Sequence, residues 1–252
     1  MSQSKSRILL VENIHPVAKS ELEQHGYEVE LLSHAPSEDE LLKLLPGYTA
    51  IGIRSKTEIT DRVLKACGAN LVTVGCFCIG TNQVDLTSAK NHGVAVFNAP
   101  HSNTRSVAEL VIAEMISLSR QLGDRNLKAH RGEWMKSADG AREVRGKTLG
   151  IVGYGHIGAQ VSILAEALGL KVIFFDVTKK LPLGNAVAAA NLGELLEKSD
   201  FVTLHVPEAP ETMNMIGKKE LARMKKGSFL LNLSRGAVVV IDDLVAALKF
   251  FE

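Results

Sequence analysis

Thr148-Leu-Gly-Ile-Val-Gly-Tyr-Gly-His-Ile-Gly158 is the stretch whose reading decides the fold. A β-rich run over 148–152 leads into Gly153, Gly155 and Gly158, spaced as GxGxxG, and a helix-periodic segment follows over 157–168. Glycines are common in turns, so the spacing alone carries little. With a buried strand before it and a helix after it, the string becomes a dinucleotide-binding fingerprint. Gly153 then permits the tight turn, Gly155 lets backbone approach a pyrophosphate, and Gly158 lets helix and strand pack closely. N–H groups at the start of the helix bind the phosphates. Asp176 ends the next strand-like run, 171–176, where a carboxylate accepts hydrogen bonds from the adenosine ribose hydroxyls. That carboxylate would repel a 2′-phosphate, which predicts NAD, although Lys179 and Lys180 stand close in sequence. A ligand-free glycine turn beside a surface aspartate is the alternative, and the order strand, loop, helix, strand, acid disfavours it.

The same alternation extends outward from this loop. Downstream, strand-like runs at 201–206 and 228–234 alternate with helices at about 192–198 and 218–224, and a last helix runs from near Asp242 to Glu252. Upstream, runs at 7–13, 27–33, 49–55, 71–77 and 94–98 are separated by helical segments with recognisable ends. Pro16 suits a first turn that Gly26 closes, and Ser37 with Glu40 has capping-box spacing. Thr60 caps a third helix, and Asp85 opens a fourth that His92-Gly93 ends. Strand-helix-strand repetition at this spacing predicts an α/β protein with two parallel-sheet domains, helices covering both faces of each. The turn formers Asn98-Ala-Pro-His-Ser-Asn103 mark the break, giving domains 1–102 and 103–252. Ser106 with Glu109 repeats the capping-box spacing and starts a helix through about Leu122. Its apolar residues at 107, 110, 111, 115 and 118 suit burial or a partner subunit equally.

Composition narrows the function classes. Among 252 residues, 46% hydrophobic and 23% charged is an ordinary globular balance, long enough for two domains at roughly 100–200 residues each. The 29 Lys and Arg against 28 Asp and Glu leave a net charge of +1, which offers no electrostatic footprint for nucleic acid or a membrane surface. No apolar run approaches the roughly 18 residues of a membrane span, and Met1-Ser-Gln-Ser-Lys-Ser-Arg7 lacks the apolar core of a signal peptide. Cys67, Cys76 and Cys78 fit neither a disulfide framework nor a tetrahedral zinc site, so no metal is predicted. The expectation is a cytoplasmic protein with a small-molecule ligand.

Ligands of open α/β sheets bind beyond the carboxyl ends of the strands. Arg235, in Asn232-Leu-Ser-Arg-Gly236, follows such an end, where a guanidinium could grip a substrate carboxylate at two points. Arg54-Ser-Lys56 likewise follows a strand and could hold an anion such as phosphate. A solvated surface residue is an equal alternative for Arg235, and a solvated turn a fair one for Arg54-Ser-Lys56. Proton transfer from an alcohol calls for a base, most often His, and none of the eight histidines has a convincing setting. His156 lies in the glycine loop, and His205 suits a core or cap role. Cys76 and Cys78, two apart on a strand, are expected to pack in the core.

Four runs together resemble a known family: Gly75-Cys-Phe-Cys-Ile-Gly-Thr-Asn-Gln-Val-Asp85, Phe97-Asn-Ala-Pro-His-Ser-Asn-Thr-Arg-Ser-Val-Ala-Glu109, Gly153-Tyr-Gly-His-Ile-Gly158 and Ser234-Arg-Gly236. They look like the NAD-dependent D-2-hydroxyacid dehydrogenases, and within them the D-3-phosphoglycerate dehydrogenases of bacterial type that open serine biosynthesis. The resemblance implies a flavodoxin-like substrate domain and a Rossmann-type NAD-binding domain. It also implies hydride transfer from D-3-phosphoglycerate to NAD. By motif match, His156 and Ile157 contact the pyrophosphate, Asp176 the ribose, Val206 the adenine half, and Leu233, Ser234 and Arg235 the nicotinamide side. Arg235 is the catalytic arginine. Arg54 and Ser55 match an anion-binding segment for the substrate, with Lys56 in place of a usual arginine, and Asn103 matches a polar residue near the substrate. Leu233 stands where a smaller residue is common. The helix from Ser106 resembles the family's subunit contact, implying a homodimer or higher homo-oligomer.

The family's acid/base histidine and its glutamate partner come later in the chain than Glu252, as do an aspartate near the nicotinamide, the last two strands of the nucleotide sheet and a serine-sensing domain. The closing stretch, Ile241 to Glu252, has no glycine terminator and ends on two aromatics. The expectation is a C-terminally truncated enzyme with an incomplete nucleotide domain of four strands, inactive or nearly so alone. Two other readings stay open: a non-catalytic NAD-binding or interaction protein, and a D-2-hydroxyacid dehydrogenase of another substrate.

Overall fold

A computed structural model describes residues 6–249, and the chain divides into two compact units between Asn103 and Thr104. In the first unit the elements are β1 (Arg7–Leu10), α1 (Pro16–Gln24), β2 (Glu28–Leu31), α2 (Glu38–Leu44), β3 (Ala50–Ile53), α3 (Asp61–Cys67), β4 (Thr73–Cys76), α4 (Leu86–Asn91) and β5 (Ala95–Asn98). Local side chains set several helix starts. Ser37 accepts from the Glu40 N–H, Thr60 from Val63 and Asp85 from Ser88, each satisfying a donor that the first turn leaves orphaned. His15 caps α1, with Pro16 at the first position.

The five strands are parallel in the order β2-β1-β3-β4-β5, the flavodoxin-like order. Leu9, Val11, Ile51, Ile53 and Val74 bury one face of this sheet against Leu41, Leu45, Val63, Leu64 and Leu71. Ile8, Leu10, Ile14 and Val29 form the smaller cluster that also takes in Ala18 and Leu22 of α1. The strand order reverses between β1 and β3, and this is the sheet's topological switch point.

The second unit comprises α5 (Thr104–Arg120), α6 (Leu122–His130), β6 (Thr148–Val152), α7 (His156–Ala167), β7 (Lys171–Phe175), β8 (Val187–Ala188), α8 (Leu192–Lys198), β9 (Phe201–Leu204), α9 (Lys218–Leu221), β10 (Phe229–Asn232) and α10 (Ile241–Lys249). Its parallel strands run β10-β9-β6-β7-β8, which from the far edge is the Rossmann order 3-2-1-4-5, with the switch point between β6 and β9. Leu149, Ile151, Val172 and Phe174 pack with Val111, Met115, Val161 and Ala165 of α5 and α7. Val152, Val202 and Leu204 pack on the opposite face with Leu195, Leu196, Ile216 and Val238.

Several expectations change. The second sheet has five strands and not four, because the two-residue β8 pairs with β7. α5 begins at Thr104, so Ser106 lies inside the helix and is not its cap. α5 is also one-sided: Ala108, Val111, Met115 and Ser119 are buried, while Leu110 and Leu118 are exposed. Gln121, at φ 56°, breaks the helix, and α6 follows unforeseen. Cys78 lies beyond β4 in a turn, so the two thiols do not share a strand face. Residues 1–5, in the leader reading, and 250–252, to which the sequence carries the expected last helix, lie outside the described residues. Among the described residues no helix is long and apolar enough to cross a membrane, and no group of His, Cys, Asp and Glu could hold a metal ion.

Candidate functional site

At the switch point of the second unit, β6 delivers Gly153 at its carboxyl end with φ at +90°, where side chains are disfavoured. A Cβ there would collide with the His205 carbonyl oxygen and lie 3.1 Å from Val206 Cγ1. The glycine loop and the His205-Val206 turn after β9 therefore lie against each other. Gly158 is equally confined, since a Cβ would run into the Gly153 carbonyl oxygen. Gly155 differs: nothing lies within 4 Å of the Cβ it lacks. It is the N-cap of α7 and offers no side-chain acceptor to the first turn, which starts at His156 and Ile157. An open cradle at an uncapped helix N-terminus fits a pyrophosphate.

Asp176, directly after β7, braces this loop. Its Oδ2 accepts from the Tyr154 N–H at 2.9 Å, and its Oδ1 from the Thr178 N–H at 2.8 Å and hydroxyl at 2.9 Å. Burial pushes the carboxyl up, but the hydrogen bonds from Thr178 and Tyr154, with the charge of Lys180, outweigh it and hold the pKa below the ordinary aspartate value. The group is ionised at neutral pH and keeps lone pairs for ribose hydroxyls. Tyr154, an unspecified position in the fingerprint, is buried, stacks on Phe174 at 3.9 Å between centroids, and hydrogen-bonds Ser162 of α7 at 2.7 Å. Nothing in the spacing singled out Tyr154 or Thr178, because their partners are defined only by the packed loop.

Parallel pairing of β10, β9, β6 and β7 brings Leu233-Ser234-Arg235, Val206, the glycine loop and Asp176 to one end of the second sheet. The turn after β10 is held by Asn232. Its Oδ1 accepts from the Ser234 N–H (3.1 Å) and hydroxyl (2.8 Å), and its Nδ2 donates to the Arg235 carbonyl at 2.9 Å. Arg235 is exposed, and its guanidinium donates to the Ser234 carbonyl at 3.0 Å. His205 is no base for this end: burial pushes its pKa down to about 4, and Nε2 lies 3.0 Å from the Thr203 hydroxyl.

In the first unit, Arg54, Ser55 and Lys56 form an exposed turn after β3, beside the β1/β3 switch point. Asn103 stands half-buried at the close of that unit. The residue that shapes the turn is Glu12, which sequence reading passed over. Glu12 and Asn13, just beyond β1, have φ of 59° and 54°, a left-handed conformation that Asn tolerates and that costs a residue such as Glu about 1–2 kcal/mol. Glu12 is 8% exposed. Its Oε1 accepts from the Arg54 and Thr57 N–H groups, both at 2.9 Å, and its Oε2 from the Lys56 N–H at 3.0 Å. Burial pushes this carboxyl up, and hydrogen bonding from Thr57, Arg54 and Lys56 outweighs it, leaving the pKa below the ordinary glutamate value. Gln83 secures the other side, donating to the Arg54 carbonyl at 2.8 Å. The Cys76 thiol, pushed up to about 11 by burial and by neighbouring Cys78, is no nucleophile at neutral pH.

The family model described as "D-isomer specific 2-hydroxyacid dehydrogenase, NAD binding domain" matches residues 112–250. The chain is 54% identical over 248 residues to D-3-phosphoglycerate dehydrogenase 1 of Saccharomyces cerevisiae, covering 98% of this chain and 53% of that one. It is 52% identical over 249 residues to D-3-phosphoglycerate dehydrogenase of Escherichia coli, covering 98% and 60%. The chain thus spans little more than half the length of these relatives, and the likeness is fungal as much as bacterial. Among solved structures, the TT0316 protein from Thermus thermophilus superposes with a TM-score of 0.88 at 32% identity, covering 96% of this chain and 78% of that one.

Proposed function

This chain belongs to the D-isomer specific 2-hydroxyacid dehydrogenase family, and on that premise we propose that it carries the NAD-binding and substrate-binding parts of a D-3-phosphoglycerate dehydrogenase. The observation that carries the reading is the glycine loop braced by Asp176 at a Rossmann switch point. NAD, when bound, supplies the nicotinamide C4 that takes a hydride from C2 of the hydroxy acid.

The chain's own residues bind and orient. Main-chain groups at His156 and Ile157 receive the pyrophosphate in the space that Gly155 leaves open. Asp176, kept ionised by Thr178 and Tyr154, accepts from the ribose hydroxyls, and Val206 flanks the adenine half. Leu233 and Ser234 line the nicotinamide side. Arg235 grips the substrate carboxylate through two N–H groups and so orients C2, and in the reverse direction it draws electron density from the adjacent carbonyl that receives the hydride. In the first unit, Arg54, Ser55 and Lys56 take the phosphate of the substrate, and Asn103 makes a polar contact to it. The hydroxyl proton is not assigned to His205, which is buried at the carboxyl end, neutral and weakly basic. We place the protein in the cytoplasm and infer a homo-oligomer, the latter favoured by the exposed Leu110 and Leu118 of α5.

Titration with NADH, followed by its fluorescence, tests the cofactor assignment. Binding should saturate, and Asp176→Ala should weaken it about tenfold or more, as expected for lost hydrogen bonds to a charged group. Wild-type affinity in that variant would refute the placement.

A further inference from the structure

The first unit carries a device that the cofactor site does not use. Glu12 lies at the end of β1 and the Arg54–Thr57 turn at the end of β3, so together they flank the switch point where open α/β sheets take ligands. The buried carboxylate is engaged by main-chain donors from Arg54, Lys56 and Thr57 and, among the described residues, is not paired with a guanidinium or ammonium group. Three N–H groups of the turn therefore point inward at Glu12. The side chains of Arg54, Ser55 and Lys56 stay exposed, with the Arg54 guanidinium donating to the Glu12 carbonyl at 3.5 Å, and among the main-chain N–H groups of this turn that of Ser55 has no protein partner among the described residues. One cation, one hydroxyl, one free N–H and a second cation in succession suit a phosphomonoester dianion. The left-handed backbone at Glu12 carries the carboxylate to this place, a cost that ordinary strand termination does not require. Gln83 holds the opposite side of the turn, donating to the carbonyls of Arg54 at 2.8 Å and Gly80 at 3.3 Å. It belongs to the run Gly75–Asp85, whose role the cofactor site leaves unexplained.

We propose that Glu12 and Gln83 are positioning residues that hold the Arg54–Thr57 turn in the shape that receives a substrate phosphate. This rests on the reading of Arg54 and Ser55 as an anion site. Without Glu12 the turn loses its three inward anchors, and the cations lose their fixed spacing.

The test is calorimetric titration of the full chain with 3-phosphoglycerate and with D-glycerate, far below the melting temperature. The ratio of the two dissociation constants reports the grip on phosphate. Glu12→Gln should weaken 3-phosphoglycerate about tenfold, change D-glycerate less than about twofold, and leave NADH binding unaltered. Gln83→Met should weaken 3-phosphoglycerate about threefold, and it decides the matter if Glu12→Gln does not fold. A purely structural role would lower Tm and leave the ratio at its wild-type value, which would overturn the proposal. Arg54→Ala separates the two levels. If it keeps the wild-type ratio, or if the wild type shows no preference for 3-phosphoglycerate, the anion site itself is wrong. If Arg54→Ala collapses the ratio while Glu12→Gln and Gln83→Met keep it, only the positioning role fails.

Discussion

The two units share a plan, a parallel sheet whose switch point holds a loop braced by a carboxylate, yet they brace it in opposite ways. In the second unit the loop is shaped by what is missing: glycines at 153 and 158 admit neighbouring backbone, and Asp176 adds a single bond to Tyr154. In the first unit the turn after β3 contains no glycine, and Glu12 shapes it with three hydrogen bonds from one buried side chain. Beneath the first loop lies a neutral His205, behind the second an ionised Glu12. A loop built by steric permission announces itself in sequence, whereas a loop built by remote hydrogen bonds does not.

The sharpest break of this contrast is Gly153→Ala. The added Cβ meets the His205 carbonyl and demands φ of +90°, so unit-two stability should fall by about 2–4 kcal/mol and NADH affinity about 100-fold. Urea unfolding and NADH titration check both, and an alanine there without effect would remove steric permission as the cause.

Acid should separate the units by pH window. His205 has an ordinary pKa near 6.5 when unfolded and about 4 when folded, so the unfolded chain takes up the proton first. Stability present above about pH 6.5 is lost as pH falls towards 4, by at most about 3 kcal/mol. Glu12 and Asp176, whose folded values are depressed, keep their contributions through that window and lose them only below the ordinary carboxylate range, about pH 4. His205→Gln should flatten the loss between pH 6.5 and 4, measured by hydrogen exchange resolved by unit. An unchanged slope would show that His205 is not the titrating group.

Gly155→Ala should have the smallest effect on folding. With open space around its Cβ, stability should stay within about 0.5 kcal/mol, while NADH affinity falls about tenfold because the methyl occupies the phosphate cradle. Equal losses of stability and binding would mean that the cradle is packed and not open.

Legibility followed the range of the interaction. Ser37, Thr60 and Asp85 were readable as caps because each bonds a donor three residues on. Ser106, with the same spacing, proved internal, since α5 starts two residues earlier, at Thr104. α6 buries no residue, so no apolar stripe distinguishes it from loop. The two residues of β8 are exposed and are organised by β7. Asp176 was found because the fingerprint places it; Tyr154 and Thr178, which keep it ionised, were not.

By itself the sequence determined the two α/β arrays, the glycine loop, the acid after its second strand and the two arginines that follow strand ends. These follow from short-range rules: hydrophobic period, turn stereochemistry and capping distance. Tertiary structure alone decided the strand orders, the packing of the His205-Val206 turn against Gly153, and the hydrogen bonds of Glu12, whose partners lie 42, 44 and 45 residues away. A buried carboxylate becomes intelligible only when the donors that offset its burial are in place, and those donors arrive with the sheet.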